Sequence, residues 1–162
     1  MHTNGWILAA ALVLGPAAVA HADVLLDRAH QRLDEATHLV VQGRYAEAEK
    51  PLRQALRDDP NLREAHYNLG AVLRAEGRYD EAIAEYNRAL ALTSSDDESV
   101  RARCLYGAAL AMDARGDKNA WDQYLAFARP WQIEQPAVQI AEERKQALNE
   151  VKVPGVAQKA SR

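Results

Sequence analysis

Five histidines, one cysteine and 23 carboxylates are the groups in this 162-residue chain that acid–base, nucleophilic or metal chemistry would use. Their spacing points to none of these. His30 and His38 stand eight residues apart, beyond the three- or four-residue step that puts two helical side chains side by side. Asp96-Asp97-Glu98 could attract a cation, but beside Ser95 it reads as a capped, solvated helix start. His-Glu-x-x-His, Cys-x-x-Cys, Gly-x-Ser-x-Gly and a phosphate-cradling glycine loop do not occur. Cys104 is the one thiol; it can pair only between chains, and on a helix it reads as a small buried apolar group. The expectation is no enzyme, no metal and no cofactor. A net charge of −3 lacks the basic footprint of a nucleic-acid binder.

The elements that would position these residues are copies of one unit. Gly43-Arg44-Tyr45, then Ala48 and Ala55-Leu56, is echoed 34 residues later by Gly77-Arg78-Tyr79, then Ala82 and Ala89-Leu90. A repeat of that length is the mark of a helical solenoid, in which each helix pair buries its apolar face only by stacking on the next. Apolar residues at three- and four-residue steps predict helices over 24–42, 46–57, 62–76, 80–92, 99–115, 119–129 and 136–151. Asn61 with Glu64 and Ser95 with Glu98 read as capping boxes. Pro51 is expected to kink its helix, and Pro130 to end the sixth. The segment 152–162 reads as a loose tail.

The N-terminus is a separate matter. Trp6 to Leu14 is apolar, Gly15-Pro16 interrupts it, and Ala20-His21-Ala22 offers small residues to a signal peptidase. Residues 1–22 are therefore read as a signal peptide cleaved before Asp23, giving a periplasmic or secreted protein. The alternative is an uncleaved N-terminal helix, which would be the chain's one tie to a membrane.

The segment 63–96 resembles a tetratricopeptide repeat, with His66, Leu69, Gly70, Leu73, Ala82, Tyr86, Ala89 and Ser94 at the positions of the pattern Trp-x2-Leu-Gly-x2-Tyr, Ala-x3-Phe, Pro. His66 stands at the Trp position and reads as a packed core residue. The preceding copy, 29–62, keeps Gly43, Tyr45, Ala48, Ala55 and Pro60. A third, 102–135, is shifted by an insertion and places Leu105, Ala108, Ala109 and Met112, then Ala120, Tyr124 and Phe127, on packing faces. The resemblance implies an all-α, right-handed solenoid of about three helix pairs over 23–151, with a capping helix at 136–151.

The resemblance also implies a function. In this family the first helices of successive pairs line a concave groove that holds a peptide or a partner's segment. On this chain that face carries Tyr67, Asn68, Arg74, Arg103 and Tyr106, with Leu110 and Asp113 beyond. Tyr67 and Tyr106, at equivalent positions, offer aromatic surfaces to a partner. Asn68 can bond a peptide amide in both directions, and Arg103 can meet a carboxylate. Only Asn68 and Arg103 match the family's carboxylate clamp, since Leu33, Thr37 and Gly107 replace its other residues. Trp121 and Trp131, near Tyr124 and Phe127, form either a second docking patch or the packing beneath the cap. The reading is an exported adaptor for a protein or peptide partner in an envelope assembly, secretion or maturation system; the alternative is a self-associating structural subunit.

Overall fold

The computed structural model describes residues 5–131 and 135–150. They form α1 (Gly5–Val41), α2 (Tyr45–Asp58), α3 (Arg63–Ala75), α4 (Tyr79–Ala91), α5 (Glu98–Arg115), α6 (Asp122–Trp131) and α7 (Gln135–Glu150), an all-α helical-repeat solenoid with no strand among the described residues. The first four residues of the expected leader and the tail at 152–162 lie outside the described residues.

Each helix pair turns at a glycine. Gly43, Gly77 and Gly116 have φ of 74°, 78° and 91°, a left-handed conformation that costs a residue with a Cβ. The N–H after each glycine reaches back to satisfy a carbonyl of the helix just ended: Arg44 to Leu39 and Arg78 to Leu73 at 2.9 Å, Asp117 to Met112 at 3.0 Å. In the first two pairs the arginine after the glycine then clasps the new helix. Arg44 grips Glu47 with Nε and Nη2 at 2.7 and 2.5 Å, and Arg78 grips Glu81 the same way at 2.8 and 2.7 Å. The sequence echo is thus a repeated turn with a repeated ionic clasp.

The core of the first two pairs is largely alanine and leucine: Ala29, Ala36, Ala48, Ala55, Ala65 and Ala82 are fully buried, with Leu52, Leu69 and Leu73 between them. Small side chains let helices approach closely, and at two points even a methyl is too large. A Cβ on Gly70 would come within 3.0 Å of the Tyr86 ring, and one on Gly107 within 2.6 Å. Tyr86 is 2% exposed and joins α3, α4 and α5 by filling the space both glycines leave. Gly107, which the clamp comparison treats as a missing cation, is there for packing.

Several local expectations are corrected. Asn61 does not cap α3: Leu62 precedes the helix, and the Asn61 N–H instead bonds the Asp59 carboxylate at 2.9 Å in a tight turn around Pro60. Asp97, not Ser95, caps α5, accepting from the Val100 N–H at 3.3 Å, because it directly precedes the first helical residue. Residues 118–121 are turns, so α6 starts at Asp122, and Pro130 is tolerated in its last turn. α2 is unbroken across the buried Pro51, and α1 runs through Gly15-Pro16.

Candidate functional site

α1, α3 and α5 present one row of side chains to a shared concavity. Arg103 lays its guanidinium 4.8 Å from the centre of the Tyr67 ring, a cation–π contact that holds both side chains in place. Tyr67 is braced from behind by the edge of Tyr86 at 5.6 Å. Among the described residues no carboxylate pairs with Arg103, so the solvent side of this exposed cation is open. Tyr67 and Arg103 line two adjoining hollows. One, of about 440 Å³, runs over Tyr106 and Ala102 to Ala137 of α7. The other, of about 260 Å³, includes Asn68, Thr37, Leu33 and the carboxylates Asp34 and Glu64. Burial works against the charge of Glu64, but the Arg63 guanidinium outweighs it and keeps the carboxyl below its ordinary range. Asn68 donates from Nδ2 to the Thr37 hydroxyl at 3.0 Å, a bond between neighbouring first helices.

Four of the five residues expected on this face therefore come together: Tyr67, Asn68, Arg103 and Tyr106. Arg74 does not join them. It is half-buried, acts on the Tyr86 hydroxyl, and has a buried Nε with no hydrogen-bond partner among the described residues. Two turns beyond Tyr67 on α3, its side chain bends to the Tyr86 hydroxyl of α4.

Trp121 is no docking patch. It is completely buried, packs edge-on against Tyr106 at 5.4 Å and Tyr124 at 6.3 Å, and donates Nε1–H to Asp113 at 3.0 Å. Val138, Ala141 and Leu148 of α7 cover the same cluster, which is the packing alternative. The side chain of Trp131 lies outside the described residues. Asp113, expected on the open face, is 8% exposed and also accepts from Nε and Nη2 of Arg144, both at 2.8 Å. This two-pronged bond, with help from Trp121, holds the Asp113 carboxyl below its ordinary range. It spans 31 residues, the same offset as the Asn68–Thr37 bond. α7 is thereby tied to α5 and covers the aromatic cluster.

One buried polar group has no counterpart in the expectations. His66 is buried, but its Nδ1 lies 2.6 Å from a Glu85 oxygen and its Nε2 3.0 Å from the Pro60 carbonyl. A carboxylate and a carbonyl both accept, so this arrangement favours an imidazole that carries a proton on each nitrogen. Burial opposes that charge, yet the Glu85 and Pro60 bonds prevail and the His66 pKa is raised. The other Glu85 oxygen accepts from Arg88 at 2.6 Å. The only sequence signal for this pair was a histidine and a glutamate where the preceding copy has Arg32 and Pro51.

Among the described residues no group of three or more His, Cys, Asp or Glu is placed to hold a metal, and no helix is long and apolar enough to cross a membrane. Cys104 is buried, which pushes its thiol pKa up and away from reactivity.

Residues 33–97 match the tetratricopeptide-repeat family model. That stretch is similar to tetratricopeptide repeats. Two solved structures share the arrangement beyond those residues. A TPR-like protein from Chlorobium tepidum superposes with a TM-score of 0.64 at 19% identity, over 80% of this chain and 99% of its own. The type III secretion translocator chaperone SycD of Yersinia enterocolitica superposes at 0.62 and 19% identity, over 76% and 92%. No curated protein matches the sequence. The tetratricopeptide-repeat fold is one typical of protein-interaction scaffolds, and the row Asn68–Tyr67–Arg103–Tyr106 is where its first helices converge.

Proposed function

We propose that this chain is an exported, non-catalytic adaptor that holds an extended segment of a partner protein in the groove lined by α1, α3 and α5. The observation that carries the reading is the Tyr67–Arg103 stack: an aromatic face and a cation without a carboxylate partner, shared by two adjoining hollows. Such a pair gives a partner segment an apolar platform and an anchor for an acidic side chain. The open Asn68 carbonyl and the Tyr106 ring extend the track to either side. SycD is a translocator chaperone, and a protein client in the groove is the corresponding role proposed for this chain.

Export rests on the leader. The core starts at Ala29, and residues 21–28 are exposed or half-exposed, so cleavage before Asp23 removes no residue of the described core. The periplasm or the outside of the cell is the location this implies, in service of an envelope assembly, secretion or maturation system. Intact-mass measurement of the protein from its own cells gives a chain beginning at Asp23 on this reading. A mass that retains residues 1–22 points instead to the anchored form.

A photo-crosslinker at Tyr67, with a control at exposed Ile140 on α7, tests the adaptor reading in the source cell. The expected result is one discrete adduct at Tyr67, absent at Ile140. An adduct of the chain with itself would transfer the case to a self-associating subunit. A folded protein with no adduct at Tyr67 would remove the groove from consideration.

A further inference from the structure

A second concavity lies outside the groove, between α2 and α4, the second helices of their pairs. It measures about 600 Å³, within the range of small-molecule sites, and its floor is His66 with Glu85. The space follows from the sequence: at a position where the repeat pattern carries Trp this chain has His66, and an imidazole fills less volume than an indole. That floor is already satisfied. Both His66 nitrogens and both Glu85 oxygens are engaged, and their charges cancel. The wall is apolar, formed by Leu56, Leu69 and Leu92.

The free polarity is at the rim. Arg53 is committed to Glu49 at 2.8 Å and Glu81 at 3.4 Å. Arg57 is exposed and pairs with no carboxylate among the described residues. Arg88 has only Glu85, which is already shared with His66. With the floor neutral, Arg57 and Arg88 leave the cleft with uncompensated positive charge above a greasy wall. An ion with a single acidic head and an aliphatic body complements both features at once. The volume suits one such molecule, whereas a stable protein contact needs about 800 Å² from each partner.

We infer that this cleft binds a small amphipathic carboxylate, its chain against Leu56, Leu69 and Leu92 and its head on Arg57 and Arg88. The inference is independent of the groove and would survive that reading's failure. The test is calorimetric titration of the full chain with sodium decanoate, below its micelle concentration, at pH 7 and low salt. The expected result is one saturable site, weakened at least tenfold by Arg57→Glu and by Leu92→Asp, and unchanged by the groove variant Arg103→Glu. Because Arg57 is exposed and unpaired, its variant is expected to melt like the parent, which circular dichroism verifies. Absence of saturable binding to the parent chain, equal binding by Arg57→Glu, or equally tight binding of decanol would each overturn the inference.

Discussion

The helices covering 33–97 and the helices after them are built from different material. The first region packs alanine against leucine and admits one large ring, Tyr86, only because Gly70 and Gly107 make room for it. The second buries Trp121, Tyr124 and a carboxylate, Asp113, beneath α7. An alanine core can be continued by another copy of itself, so it needs something to stop it. The aromatic cluster and the Asp113–Arg144 bond do that, while the far face of α7 is polar, with Gln139, Glu143 and Gln146 exposed. The groove lies at the seam: Tyr67 and Asn68 come from one region, Arg103 and Tyr106 from the other.

If the second region closes the fold, Trp121→Ala has the largest effect on stability, about 3–5 kcal/mol, read as a lowered urea midpoint or melting temperature. A loss below about 1 kcal/mol would show that the first region stands without its end. Around Tyr86, Gly107→Ala on α5 is expected to cost about 1–3 kcal/mol through overpacking against the ring, and Gly70→Ala on α3 less, following the 2.6 and 3.0 Å approaches. Equal costs would mean the ring yields toward one side.

The His66–Glu85 pair gives the first region a pH dependence on the alkaline side, whereas the lowered Asp113 carboxyl places that of the second on the acid side. Because the folded-state pKa of His66 is raised above the ordinary 6.5, its stabilisation is complete below about pH 6.5 and is lost as pH rises through the higher folded value. Urea unfolding of the parent between pH 6 and 9 should show it, and His66→Gln should flatten that slope. The smallest effect belongs to the seam: Arg103→Ala removes a cation–π contact at an exposed side chain and is expected to cost under about 1 kcal/mol of stability.

Much of the repeat region was legible because its physics is periodic. The Gly-Arg-Tyr echo became two identical turns and clasps, and Leu69, Leu73, Ala82, Tyr86 and Ala89 are all buried where the pattern puts them. What escaped was contact between elements distant in sequence. Asn61 and Ser95 look like caps until the turn geometry gives that task to no side chain in one case and to Asp97 in the other. Arg74 lies on the expected face by helical spacing, yet Tyr86 draws it inward. Asp113 looked like an open acid because nothing near it in sequence announces Arg144. His66 was rightly placed inside, but its charge depends on Glu85 and on a carbonyl exposed by the Pro60 turn.

The central claim is that the Tyr67–Arg103 stack binds a partner and does little for the fold. Its most direct test takes the partner identified by the Tyr67 adduct and measures its affinity for the parent chain and for Arg103→Glu, beside the urea midpoint of each. The account predicts at least a tenfold loss of affinity with an unchanged midpoint. Undiminished affinity in Arg103→Glu would contradict it.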